Sequence, residues 1–149
     1  MMDIKSKEKR SQNMSRIKSR NTSIELKIRK LLYNSGFRYR VNYSAVTGKP
    51  DIYISKFKTA VFVNGCFWHR HKDCRYSYMP KSNIEFWSSK FEKNMERDKN
   101  VVNELNSQGI RVIVIWECTV KGLKNEEDNK EFLDNFRNSL ESEELYIEL

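Results

Sequence analysis

A chain of 149 residues can bury one real core, and 38% hydrophobic against 32% charged residues suits a globular domain with polar stretches. Its 28 Lys and Arg outweigh 20 Asp and Glu, and the formal charge of +8 makes a polyanion the first partner to consider. A membrane span of roughly 20 apolar residues, a signal-peptide core and a disulfide framework are all excluded, the last because three cysteines interleaved with histidine point to metal binding in a reducing compartment.

Residues 1–20 are polar, with Met14 and Ile17 as isolated apolar points. They read either as a solvated tail or as a basic arm that orders on DNA. Thr22-Ser23-Ile24-Glu25 is a capping box, and Ile24, Ile28, Leu31 and Leu32 continue it at helical spacing until Gly36. Glu25 therefore has a structural explanation against which a catalytic role must be weighed.

Phe37–Tyr43 and Asp51–Ile54 are short extended runs, separated by Gly48-Lys49-Pro50. After a turn at 55–58, the β-branched run Thr59–Val63 completes an antiparallel hairpin that sets Asp51 beside Asn64. Ser82-Asn83-Ile84-Glu85 is a second capping box. It opens a long helix with Trp87, Phe91, Met95, Val102 and Leu105 on its inner face and Gly109 at its end. Ile110–Trp116 is apolar almost throughout, as a strand covered on both faces should be, and the helix before it predicts parallel pairing with an earlier strand. Gly122 breaks the chain. A helix over Glu126–Leu140 follows, with Phe132, Leu133, Phe136 and Leu140 inward, and Glu141–Leu149 reads as a peripheral acidic tail. The expectation is one α/β domain over 1–149, a small mixed sheet flanked by helices. Residues 1–20 form its arm, and 123–149 its C-terminal helix and acidic tail.

Cys66, His71 and Cys74 are separated by four and two residues, and Cys118 lies just past the end of another strand. If those strands are parallel neighbours, their ends bring Cys118 to the cluster. Three thiolates and an imidazole make a closed tetrahedral set that favours structural zinc. His69 is left over. Phe67 and Trp68 are open to two readings, a satellite cluster over the metal or a wedge between base pairs.

Pro50-Asp51 before one strand, with a polar cluster at the end of its partner, resembles the Asp-centred Mg²⁺ site of restriction-type nucleases. The usual acidic residue followed two positions later by Lys is missing. A more specific likeness lies in Val61-Phe62-Val63-Asn64-Gly65-Cys66-Phe67-Trp68-His69-Arg70-His71, Glu85-Phe86-Trp87, Lys93-Asn94-Met95-Glu96-Arg97-Asp98 and Val114-Ile115-Trp116-Glu117-Cys118. With Ser11-Gln12-Asn13-Met14 and the Thr22–Glu25 box, these segments resemble the very short patch repair endonuclease family over about residues 10–122.

That resemblance implies a restriction-endonuclease-like fold and a bacterial enzyme, cytoplasmic and nucleoid-associated, that nicks DNA 5′ to the thymine of a T·G mismatch left by deaminated 5-methylcytosine; a monomer is expected from the absence of a spare apolar helix face. It implies Mg²⁺ on Asp51 and the Val63 carbonyl, His69 as the proton-transfer residue, and Glu25 and Asp98 positioning water or the imidazole. Zinc would sit on Cys66, His71, Cys74 and Cys118. Phe67, Trp68 and Trp87 would wedge from the major-groove side, with Met14 reaching DNA from the opposite face and mismatch-repair proteins as further partners. Two positions depart from the family pattern: Asn64 stands where members carry His, and Val63 where they carry Thr. An amide can hydrogen-bond water but cannot take a proton near neutral pH, which leaves His69 as the imidazole for that role. The competing readings are a non-catalytic zinc module that binds DNA and a restriction-type nuclease with another target.

Overall fold

The computed structural model describes residues 22–149. Helix α1 (Ser23–Asn34) starts where Thr22 turns extended and its Oγ1 accepts from the Glu25 N–H at 3.4 Å. The Glu25 carboxylate itself runs to Arg29 (3.2 Å), one helical turn on. The helix ends in a Schellman turn: Gly36 takes φ +96°, its N–H reaches the Tyr33 carbonyl, and the Phe37 N–H reaches Leu32.

Strand β1 (Arg40–Val41) pairs antiparallel with β2 (Ile52–Ile54), so only two residues of the expected 37–43 run join the sheet. A single 3₁₀ turn, Ser55–Phe57, and Lys58 at φ +49° then reverse the chain into β3 (Thr59–Asn64), which gives the expected hairpin. Strand β4 (Arg111–Trp116) lies parallel to β3, with Thr59 opposite Arg111 and Asn64 opposite Trp116.

With Tyr146–Glu148 as β5, the five strands stand in the order β1-β2-β3-β4-β5. Side chains alternate across the sheet. Val61, Val63, Ile113 and Ile115 meet Ile28 and Leu32 of α1 and Phe132, Phe136 and Leu140 of α4 (Glu126–Glu141) on one face. Ala60, Val112, Val114 and Trp116 meet Leu105 of α2 (Ile84–Ser107) and the cysteine loop on the other. The result is the α/β sandwich anticipated from the sequence. Among the described residues no helix is long and apolar enough to cross a membrane.

Three expectations are corrected. The Ser82 capping box does not form: Asn83 flanks α2 in the left-handed region (φ 55°, ψ 42°) without a side-chain cap, a conformation Asn tolerates through its short polar side chain. Met95 is 45% exposed, because each i+4 step overshoots a helical turn by about 40° and two steps from Trp87 carry it off the inner face. Finally, the acidic tail is not peripheral. Tyr146–Glu148 forms β5 parallel to β4, since β3 covers only one edge of that strand and leaves a second ladder of N–H and C=O groups to be paired.

Candidate active site

Two parallel strands that end together position the cysteine–histidine cluster. Beyond Asn64 and Trp116 the chain turns into Gly65-Cys66 and into the short helix α3 (Glu117–Lys121), so Cys66 and Cys118 arrive side by side. The His69 N–H bonds to the Gly65 carbonyl and the His71 N–H to the Cys66 carbonyl, which folds the intervening loop back on the strand end. The ligand atoms of Cys66, His71, Cys74 and Cys118 all lie within 4.8 Å of one another, with His71 Nδ1 3.6 Å from the Cys66 sulfur and 3.4 Å from that of Cys118.

Tetrahedral coordination at bond lengths of about 2.0–2.3 Å separates ligand atoms by roughly 3.5 Å, so the group could hold a metal ion. Burial pushes the Cys66 thiol up to about 12; the Cys118 N–H opposes this, and the neighbouring Cys118 and Cys74 thiols add to it. A bound cation reverses that preference and deprotonates the sulfur. Around the ligands, the His71 ring stacks on Trp116 at 4.1 Å and 7°. Glu117 accepts from the Cys66 N–H at 3.3 Å and pairs with Lys121 at 3.1 Å.

Asp51 sits just before β2 and takes the Val63 N–H on Oδ2 at 2.7 Å, the side-by-side placement expected of a hairpin. Burial raises its carboxyl to about 6 against that hydrogen bond. Glu25 adds to the rise, whereas Arg29 and, less strongly, His69 draw it down. Glu25, from α1 on the other side of the sheet, is buried at 3% exposure. His69 is held at Nδ1 by Asp98 Oδ2 of α2 at 2.6 Å. Asn64 is buried at the end of β3.

Asp51 lies near enough to Glu25 to feel its charge, and carboxylate oxygens so placed suit a hard divalent ion. The Asp51 carboxylate fits the ion assigned to it by resemblance, while Val63 is seen here through its N–H on Asp51 Oδ2. The fold therefore brings together Asp51, Val63, Asn64, Glu25, His69 and Asp98 as one neighbourhood and Cys66, His71, Cys74 and Cys118 as another. Met14 lies outside the described residues. Sequence reasoning missed Arg29, although its i+4 spacing from Glu25 is a readable signal. Glu117, whose carboxylate holds the Cys66 N–H, was also missed; its position next to Cys118 was the available hint.

The remaining loop side chains pack on α2. Phe67 lies 5.2 Å from Phe91 and 5.7 Å from Trp87, and Trp68 lies 5.8 Å from Trp87. Asn94 donates to the Trp68 carbonyl at 3.2 Å. Phe67, Trp68 and Trp87 are half-buried, and Tyr78, Met79, Ile84 and Phe86 beside them are exposed. Such a patch of rings, open on one side, can present apolar edges to a partner.

Comparison with known proteins agrees. The family model described as DNA mismatch endonuclease Vsr matches residues 2–76. A protein of Neisseria meningitidis serogroup A named Type II nicking enzyme V.NmeAIP is 49% identical over 121 residues, 81% of this chain and 86% of its own length. The DNA mismatch endonuclease Vsr of Escherichia coli K12 is 38% identical over 122 residues, 82% of this chain and 78% of its own. Type II nicking enzyme V.XorIIP of Xanthomonas oryzae is 39% identical over 123 residues, covering 83% and 90%. With this identity maintained over four-fifths of its length, and with a mixed-sheet core of the restriction-endonuclease type, the chain belongs to the Vsr family of DNA mismatch endonucleases.

Proposed function

We propose that this protein nicks double-stranded DNA 5′ to the thymine of a T·G mismatch arising from deaminated 5-methylcytosine, by Mg²⁺-dependent phosphodiester hydrolysis. The observation that carries the reading is the pairing of a half-buried Asp51, held by the Val63 N–H, with an imidazole that Asp98 has locked in place nearby. A pure DNA-binding module has no use for that pair.

In this reading Asp51 and the Val63 carbonyl hold Mg²⁺, which when bound supplies positive charge against the phosphate and makes water more acidic. Asp98 Oδ2, accepting at 2.6 Å, fixes the proton of His69 on Nδ1, so that Nε2 is left as the acceptor that takes a proton from the attacking water. Glu25 and the Asn64 amide orient water, and Arg29, 3.2 Å from the Glu25 carboxylate, holds it in place. Zinc on Cys66, His71, Cys74 and Cys118 holds the loop that carries His69, a structural role suited to a closed thiolate set.

Phe67, Trp68 and Trp87 form the wedge, and Met14 approaches from the opposite face. Unstacking a mismatched step is cheaper than unstacking a paired one by roughly a few kcal/mol, and that difference contributes to the choice of site. The protein works as a monomer in the bacterial cytoplasm at the nucleoid, ahead of mismatch-repair proteins.

The test is strand nicking with Mg²⁺ on otherwise identical T·G and T·A duplexes, for the wild-type protein and Asp51→Ala. Nicking confined to T·G and abolished by the substitution, with DNA binding kept, is the expected result. Equal cutting of both duplexes would replace the mismatch reading by that of a restriction-type nuclease, and binding without cutting would replace it by that of a zinc module.

A further inference from the structure

The side chain of Arg70 stands between the metal loop and the aromatic patch. Its guanidinium donates from Nη1 to the carbonyls of Phe67 (3.2 Å) and Tyr78 (3.1 Å), and from Nη2 to that of Ser77 (2.7 Å). Its flat face lies 4.0 Å from the ring centre of Phe91 and 5.6 Å from that of Phe67. Arg70 itself has φ +53°, a left-handed conformation uncommon for a residue with a side chain. The segment it grips is fixed at its other end, since the Ser77 hydroxyl donates to the Cys66 carbonyl (2.6 Å) and the Ser77 N–H to that of Cys74 (3.0 Å). Tyr78 follows at once, with its ring 5.0 Å from Phe67 and 64% exposed.

We infer that Arg70 is a positioning residue for the DNA wedge: it clamps the 77–78 segment against Phe67 and thereby presents Tyr78 as a further ring of the inserting surface. The inference rests on the reading of Phe67, Trp68 and Trp87 as a wedge and extends it to two residues. The chemistry requires arginine. A planar cation can stack on Phe91 and still direct edge donors to three carbonyls, whereas the lysine ammonium is a compact point charge without a flat face or a fork. Three carbonyl dipoles meeting one cation hold the loop still. A wedge that is rigid before contact spends less binding free energy on ordering itself and leaves more for opening the base step.

The experiment uses the full-length wild-type, Arg70→Lys, Tyr78→Ala and Tyr78→Phe proteins, each checked for bound zinc. The probe is a T·G duplex with 2-aminopurine beside the mismatch, whose fluorescence rises on unstacking, measured in Ca²⁺ to prevent cutting. kcat and KM for nicking are then measured in Mg²⁺. Arg70→Lys is expected to keep its zinc and to bind DNA within about twofold of wild type, to lose at least half of the fluorescence rise, and to lower kcat on T·G by roughly tenfold. Tyr78→Ala should follow in the same direction and Tyr78→Phe should restore the signal; this pair carries the test if Arg70→Lys loses zinc. Wild-type fluorescence and kcat in both Arg70→Lys and Tyr78→Ala would overturn the brace alone. A change confined to KM and its salt dependence would reassign Arg70 to a phosphate contact. No rise with the wild-type protein would overturn the wedge reading, and the brace with it.

Discussion

His69 Nδ1 and Asp98 Oδ2 lie 2.6 Å apart, joining the loop that follows β3 to the middle of helix α2 across 29 positions of sequence. This bond sets both the tautomer and the aim of the imidazole. Asp98→Asn should therefore lower the nicking rate by about 10²–10⁴-fold, the range seen when a base loses its orienting carboxylate. DNA affinity should be unchanged, and single-turnover rates beside equilibrium binding check both halves.

Asp51 gives a pH prediction whose sign can be worked out. Its carboxyl is raised by burial to about 6, above the ordinary 3.8. A raised carboxylate favours folding fully below the unfolded value and loses that contribution as pH climbs through the folded one. Without added Mg²⁺, stability should fall between about pH 4 and 6, by at most about 3 kcal/mol. Asp51→Asn should remove that fall and raise Tm at pH 7 while abolishing nicking. Thermal melts across pH in Mg²⁺-free buffer would reveal it. Nicking itself should gain an acid limb near pH 6 that moves down as Mg²⁺ is raised.

The metal centre is buttressed from the C-terminal strand. Trp116, stacked on His71, donates its indole N–H to Glu148 at 2.7 Å, and Leu149 accepts from the Trp116 N–H and the Thr119 hydroxyl. Glu148→Gln should speed loss of zinc to a chromogenic chelator about tenfold, as orienting partners of metal ligands commonly do. Cys118→Ser should lose the ion outright and melt at lower temperature.

Phe136 is fully buried and meets Phe37 edge-on at 5.4 Å. Phe136→Ala should cost about 3–5 kcal/mol. Because this residue lies on the face of the sheet away from the cysteine loop, the nicking rate per folded molecule should stay at the wild-type level. Urea unfolding and active-site titration separate the two effects.

Local chemistry was legible wherever it acts over a few residues. The Thr22 cap, the Schellman turns at Gly36 and Gly109, and the hairpin that carries Asp51 to the end of β3, where it takes the Val63 N–H, were readable because each is governed by backbone conformation within one or two turns. The cysteine spacing was equally plain, since a metal site needs particular atoms at short range. Less could be read where two distant segments compete for one surface. Tyr146–Glu148 carries no more strand signal than an acidic tail, and only the open edge of β4 makes it a strand. Arg70 looked like one more basic residue of a cationic chain until the 77–78 carbonyls closed on it.

By itself, then, the amino-acid order determined the elements, the sulfur and imidazole ligands, and the acid at the hairpin mouth. Tertiary packing decided which charges and rings meet: His69 with Asp98, Glu25 with Asp51, Trp116 with both His71 and Glu148. The physical reason is range. Propensity and capping act through neighbouring dihedral angles, whereas these meetings depend on how four helices and five strands pack together, which no short stretch of sequence encodes.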